Sequence, residues 1–121
     1  MIGGGVGVTP LRAIFEALPR GGQHITFLYR EGEAADTIFR EELLALAARH
    51  GAVLRFVEGH RGSPEMPVDP LAPEWLWRHA PHITQADVLV CGSRSFTERV
   101  LSSLKTLQVP EGHVHAERFG Y

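Results

Sequence analysis

Four of the five residues at positions 3–7 are glycines, and this glycine turn constrains the fold more than any other feature. Glycine lacks a Cβ, so it adopts positive φ and leaves room for a ligand beside the backbone. Thr9 and Pro10 follow, and these residue types suit a helix N-cap and the first helical position. We therefore predict a tight turn into a helix whose free N–H groups face the turn.

A pyrophosphate is the ligand that such a turn fits best, because the helix N-terminus carries unpaired donors and a partial positive charge. The match to the G-x-G-x-x-G fingerprint is imperfect, since Pro10 stands at the third glycine position. A tight strand-to-helix turn without a ligand is the alternative. The candidate cofactor-binding residues here are Gly4, Gly5, Val6, Gly7, Val8, Thr9 and Pro10.

Apolar runs of strand length alternate with helical patterns along the rest of the chain. The runs cover residues 24–29, 52–57, 86–91 and 113–119, and helical stripes follow Pro10, Asp36 and Ser93 or Ser95, with a short helix from Pro73. Only Met1 and Ile2 precede the glycines, so we expect a truncated first strand. Alternating strands and helices predict an α/β fold, an open parallel five-stranded sheet with helices on both faces.

Composition narrows the class of protein. The 121 residues, 44% hydrophobic and 21% charged, predict one globular domain spanning 1–121. No apolar run approaches the ~18 residues of a membrane span. Lys and Arg total 12 against 14 Asp and Glu, which disfavours nucleic-acid binding. The single cysteine, Cys91, excludes an internal disulfide and fits a cytoplasmic protein.

Ligands of open α/β sheets bind outside the carboxyl ends of the strands. This rule selects the segments 3–10, 29–31, 59–61, 91–95 and 117–121. Arg30 and Glu31 are adjacent at the second strand end. An arginine there would pair with the 2′-phosphate of NADP and an acid would bind the 2′-hydroxyl of NAD, so both nucleotides stay open.

The remaining reactive side chains, a cysteine and two histidines, predict function less specifically. Cys91 would either touch a nicotinamide or lie buried as a small apolar residue, and no base is placed beside it for nucleophilic catalysis. His113 and His115 share one strand face, but two histidines are too few for a closed zinc site. We therefore predict no metal.

The motifs together resemble the NAD(P)-binding domain of the ferredoxin–NADP reductase family, which includes ferric-reductase-like and other flavin-dependent oxidoreductases. The stretch from Gly3 to Leu11 resembles the pyridine-nucleotide loop of that family, and Tyr29-Arg30 resembles its second strand end. Val90-Cys91-Gly92 is similar to its Cys-Gly-Pro motif, and the stretch 115–119 to its closing strand.

This resemblance implies a Rossmann-like fold that presents NAD(P)H for hydride transfer to FAD. Tyr29 and Arg30 would meet the adenosine end, and Cys91, Gly92 and Ser93 the nicotinamide. Phe119 or Tyr121 would lie near the flavin ring. Cys91 and Glu117 are the candidate catalytic residues. Two departures are Ser93 in place of the usual proline and Phe96 in place of a frequent methionine.

Members of that family carry a flavin-binding barrel ahead of this domain, and residues 1–121 show none. We expect the flavin on a separate or missing domain or subunit, an unidentified electron acceptor, and no activity of the chain alone. Marginal stability or dimerisation follows from the truncated strand. The alternatives are a nucleotide-binding sensor or degenerate fragment without redox activity, and an unrelated flavodoxin-like regulatory domain.

Overall fold

The computed structural model describes residues 1–5, 8–19, 24–30, 37–57, 69 and 71–119, with the backbone alone for 37–39 and 118–119. Within these residues the chain forms five strands and four α-helices. The strands are β1 (Ile2–Gly4), β2 (Thr26–Arg30), β3 (Val53–Val57), β4 (Val88–Ser93) and β5 (Val114–Phe119). The helices are α1 (Val8–Ala17), α2 (Thr37–His50), α3 (Pro73–His79) and α4 (Arg94–Thr106).

All five strands are parallel and stand in the order β3-β2-β1-β4-β5. The predicted parallel five-stranded α/β sheet is therefore confirmed. β1 lies at its centre, with Gly3 in register with Tyr29 on β2 and with Cys91 on β4. The strand order reverses direction between β1 and β4, so this is the switch point of the sheet.

The short first strand extends into the glycines, which corrects the prediction that it stops at Ile2. Gly3 and Gly4 belong to β1 because their backbones pair with β2. The ladder begins at Met1, whose backbone nitrogen donates to the Thr26 carbonyl at 2.8 Å. Leu28 in turn donates to the Met1 carbonyl at 2.8 Å. A strand of three residues suffices at the centre of the sheet because β2 and β4 pair with its two edges.

Two of the other predicted strands lie further along the chain than expected. β2 ends at Arg30 rather than at residue 29, and β4 runs to Ser93 rather than ending at residue 91. Pairing with β5 extends β4, because Gly92 stands opposite Arg118 and Ser93 opposite Phe119. Apolar character alone does not reveal this extension, since both added residues are small.

Helix boundaries confirm some predictions and correct one. α1 begins at Val8, so the predicted cap at Thr9 is wrong, and Pro10 is the third helical residue. Proline is tolerated there because the first-turn N–H groups lack helical partners. Gly51 does end α2 with φ of 64°, and Ala52 donates to the Ala47 carbonyl at 2.9 Å. The predicted cap at Asp36 lies outside the described residues.

Helices cover both faces of the sheet, as predicted. On one face α1 and α2 pack with the alternate strand residues Phe27, Tyr29 and Cys91. On the other face α3 and α4 pack with Ile2, Leu28 and Val90. This alternation is the period of two of a strand buried on both sides. It also decides which strand side chains face α1 and which face α4.

Candidate functional site

Of the residues in the predicted glycine turn, Gly3 and Gly4 lie in the central strand, and Gly5 lies at its carboxyl end. Gly5 directly follows β1 with φ of 55°, a conformation that other residues rarely adopt. A Cβ built on Gly5 would meet no atom within 4 Å, so the space beside it is open. α1 begins three residues later, with the Val8 side chain only 1% exposed in the core. Val8 can therefore offer a ligand its backbone but not its side chain.

The structure describes two of the four other loop residues that were predicted to bind a cofactor. Val6 and Gly7 lie outside the described residues. Thr9 is exposed and Pro10 is half-buried in the first turn of α1. Open space beside Gly5, together with a ten-residue helix that starts at this point, fits a pyrophosphate.

Tyr29 supports the glycine turn from the neighbouring strand. Its hydroxyl donates to the Gly5 carbonyl at 3.2 Å, and the side chain is 6% exposed. The ring of Phe56 meets the Tyr29 ring edge-on, with 6.2 Å between centroids. The sequence analysis expected Tyr29 at the adenosine end and did not foresee this bond. No local pattern predicts a contact between residues 24 positions apart.

Phe96 covers the switch point on the α4 face. Its ring lies so close to Gly4 and Gly92 that added Cβ atoms would approach it to 2.7 and 2.5 Å. Real Cβ atoms do not approach carbon atoms so closely, so both positions require glycine for packing. This gives Gly4 and Gly92 a structural role in addition to the cofactor role predicted for them, which stays a prediction.

Ser93 joins the end of β4 to α4. Its hydroxyl accepts a hydrogen bond from the Phe96 backbone nitrogen at 3.3 Å and so caps the helix. A proline at this position could not make that bond, because it has no side-chain acceptor. The departure from the family pattern at Ser93 thus has a local reason. Capping by Ser93, one of the two predicted residues, is confirmed.

The two candidate catalytic residues face each other across the β4–β5 ladder. Cys91 is in register with Glu117, which is exposed, whereas the thiol is in the core and 2% exposed. Burial first, and then the negative charge of Glu117, raise the pKa of the Cys91 thiol. Cys91 is therefore a neutral apolar group at neutral pH. Phe119 ends β5 opposite Ser93, and its side chain lies outside the described residues.

Arg30 ends β2 in register with Gly4, beside the glycine turn. Its guanidinium donates to the Val57 carbonyl at 3.4 Å. Arg99 on α4 forms an ion pair with Asp69, with 2.5 Å between nitrogen and oxygen. The pKa of Arg30 is lowered by burial and by the charge of Arg99, and Asp69 opposes the shift. These three residues form a charged corner, and the sequence analysis named only Arg30.

Two further observations concern metal ligands and membrane spans. Within the described ranges, no three His, Cys, Asp or Glu side chains cluster as metal ligands would. Among the helices that the structure describes, none is long and apolar enough to span a membrane. The predicted segment 59–61, Glu31 and Tyr121 all lie outside the described residues.

Comparison with known proteins agrees with this geometry. A flavohemoprotein of Burkholderia sp. (strain TH2) is 33% identical over 99% of this chain and 32% of its own length. The ferredoxin reductase component of the 3-ketosteroid-9-alpha-monooxygenase of Rhodococcus rhodochrous is 32% identical over 98% of this chain and 33% of its own length. The chain thus spans about a third of these curated relatives.

A solved structure supports the fold. The flavohem-like FAD/NAD-binding domain of nitric oxide dioxygenase from Vibrio cholerae matches 99% of this chain and 50% of its own, with 26% identity and a TM-score of 0.70. The family model of the oxidoreductase NAD-binding domain matches residues 1–101. The chain therefore belongs to the oxidoreductase NAD-binding domain family.

Proposed function

We propose that this chain presents NAD(P)H for hydride transfer to a flavin held outside residues 1–121. The observation that carries the proposal is the open glycine turn at Gly5, between the central strand and α1 at the switch point. Dinucleotides bind open α/β sheets at this point. The family model over residues 1–101 supports the same ligand.

The proposal assigns different residues to each end of the nucleotide. The glycine turn and the first N–H groups of α1 would hold the pyrophosphate, with Tyr29 fixing the turn through the Gly5 carbonyl. Arg30 would meet the adenosine end. Cys91, Gly92 and Ser93 would flank the nicotinamide, where a buried neutral thiol offers an apolar contact without a competing charge. Val6, Gly7, Val8, Thr9 and Pro10 complete the proposed loop.

The relatives' names support a flavin partner. One is a flavohemoprotein, one is a ferredoxin reductase component, and the matched solved structure is an FAD/NAD-binding domain. When bound, NAD(P)H supplies a hydride from nicotinamide C4 that flavin N5 accepts. In this proposal Glu117 and Phe119 lie on the flavin side, since β5 follows β4 outward from the switch point. The chain's part is alignment of the two rings.

A cytoplasmic location fits the single thiol, Cys91, which is buried and reduced. The electron acceptor would dock on or beyond the flavin partner. The full hydride-transfer activity therefore needs that partner, and the chain alone would bind nucleotide without turnover.

The test is a fluorescence titration of the chain with NADH and NADPH, after circular dichroism confirms a fold. Wild type should bind at least one of them. Gly5→Val should abolish binding, because a branched side chain is strained at φ of 55° and fills the open space. Gly51→Val is the matched control, with φ of 64° at the opposite end of the sheet, and should still bind.

A folded wild-type chain with no affinity for either nucleotide would overturn the proposal. Binding without reduction of an added flavin domain from a relative would favour the nucleotide sensor instead. Flavin reduction with NAD(P)H, lost in Gly5→Val, is the result that we expect.

A further inference from the structure

The charged corner brings together residues from three separate parts of the chain. Arg30 ends β2, Asp69 lies just before α3, and Arg99 lies on α4. In β2 the side chain of Leu28 packs in the α3/α4 core, and Arg30, two residues later, lies on the same face. The structure thus directs Arg30 toward the side of the sheet that holds the Asp69–Arg99 pair.

The Asp69 carboxylate contacts both the backbone and α4. One carboxylate oxygen accepts the Leu71 backbone N–H at 3.0 Å and the Arg99 guanidinium at 2.5 Å. The side chains of Arg99 and Asp69 are 36% and 33% exposed, so a ligand can sense both charges. The pKa of Arg30 is lowered by burial first and then by the charge of Arg99, and the charge of Asp69 opposes the shift, which agrees with the placement of Arg30 on this side of the sheet.

We propose that Asp69 and Arg99 are specificity-determining residues for the adenosine ribose. Asp69 disfavours a 2′-phosphate at the charged corner, and Arg99 favours it. This inference rests on the proposed function, since it assigns a second role at the same nucleotide site. It adds two residues that no motif at the end of β2 reveals.

The physical reason is the charge of the ligand. A phosphate monoester carries about −1.5 to −2 at neutral pH, whereas a 2′-hydroxyl carries none. Arg30 lies in register with Gly4, next to the open space at Gly5 where the proposed function places the pyrophosphate, so we expect the adjoining ribose at this corner. Removing Asp69 takes away a repulsion and leaves Arg99 without its counter-charge. Removing Arg99 takes away an attraction for the phosphate and one of the positive charges beside the Asp69 carboxylate.

Changes of opposite sign in the relative affinity for NADPH and NADH would distinguish a role in specificity from a structural role. Asp69→Asn and Arg99→Gln break the same ion pair, so a purely structural contribution would shift nucleotide binding in the same direction in both variants. A charge contribution raises the affinity for NADPH relative to NADH in Asp69→Asn and lowers it in Arg99→Gln. The double variant should return to within about twofold of wild type, since the two charges nearly cancel.

The experiment measures dissociation constants for NADPH and NADH by titration of the full chain at low ionic strength. Both constants are measured on the same sample of each variant. An unfolded fraction then affects both constants equally and cancels in their ratio. We expect about three- to tenfold shifts of the ratio in opposite directions, which shrink as salt is added. Adenosine 2′,5′-bisphosphate and 5′-AMP, which differ only in the 2′-phosphate, should show the same pattern.

Matched controls exist at the other end of the sheet. Glu111→Gln and Lys105→Gln make the same changes of charge at exposed positions next to the start of β5. They should leave the ratio unchanged. If Asp69→Asn and Arg99→Gln still bind NADH but leave the NADPH-to-NADH ratio unchanged, or shift it in the same direction, this inference is overturned and the proposed function stands. A folded wild type that binds neither nucleotide would overturn the proposed function and the inference with it.

Discussion

The switch point and the charged corner lie on adjacent strand ends but are built from different interactions. At the switch point the aromatic ring of Phe96 packs on Gly4 and Gly92 without room for a Cβ. At the charged corner the Arg99 and Asp69 side chains are each about one-third exposed and meet as ions. Close packing tolerates few changes, whereas partly solvated charges can be altered at little cost to the fold.

The largest effect is expected where the packing is tightest. Gly92→Ala places a methyl group 2.5 Å from a ring carbon of Phe96, so the ring or β4 must move. We expect a loss of about 2 kcal/mol in the free energy of unfolding, measured by urea denaturation. Gly112→Ala is the control, since its Cβ meets nothing within 4 Å. Adding Phe96→Leu to Gly92→Ala should recover part of the lost free energy. Equal losses in Gly92→Ala and Gly112→Ala would contradict this account.

The next effect separates backbone strain from ligand binding. Gly5→Ala and Gly51→Ala both place a Cβ at positive φ, 55° and 64°, in otherwise open space. Each should lower the free energy of unfolding by about 1–2 kcal/mol. Only Gly5→Ala should also weaken nucleotide binding, because Gly51 ends α2 at the far end of the sheet. Equal loss of binding in both variants would show that binding follows stability alone.

The charged corner should be far more tolerant. Asp69→Asn keeps an oxygen that accepts the Leu71 N–H and removes only the charge that pairs with Arg99. We expect a loss below about 1 kcal/mol in the free energy of unfolding, decreasing with added salt. A loss in the free energy of unfolding as large as that of Gly92→Ala would contradict this comparison, because it would show that the charged corner depends on close packing as the switch point does.

The smallest effect concerns Cys91, which links the switch point to the exposed Glu117. Because the pKa of the folded thiol is raised, the folded state holds this proton more tightly than the unfolded chain. The stability contribution is therefore full below the ordinary thiol pKa and is lost as pH rises through the folded pKa. Alkylation of Cys91 in the native chain should need higher pH than in urea.

Glu117→Gln tests the minor cause of that shift. It should move the alkylation profile of Cys91 only slightly toward lower pH, because burial is the larger cause and Glu117 is exposed. A complete return to ordinary thiol reactivity would show instead that the Glu117 charge dominates.

The sequence alone predicted the α/β class, a positive φ among the opening glycines, which Gly5 shows, the short helix from Pro73 and the helix end at Gly51. It also predicted a helix cap at Ser93 or Ser95, of which the structure selects Ser93. Each of these depends on local chemistry: periodicity, a missing Cβ, or a side chain that bonds to a nearby backbone group. The resemblance also led to the correct family. The end of β4 and the full length of β1 were not predicted, because strand pairing decides them. The start of α1 was predicted two residues too late, at Pro10 instead of Val8.

Only the tertiary structure joined Tyr29 to Gly5, Phe96 to two glycines, and Asp69 to Arg99. Phe96 and Gly92 are only four residues apart, but the other partners are distant in sequence, and neither periodicity nor motif spacing encodes such pairs. Sheet order and helix packing bring them together, since parallel strands that are far apart in the chain end at the same edge. The nature of the ligand was therefore readable from the chain, whereas the residues that tune its recognition were decided by packing.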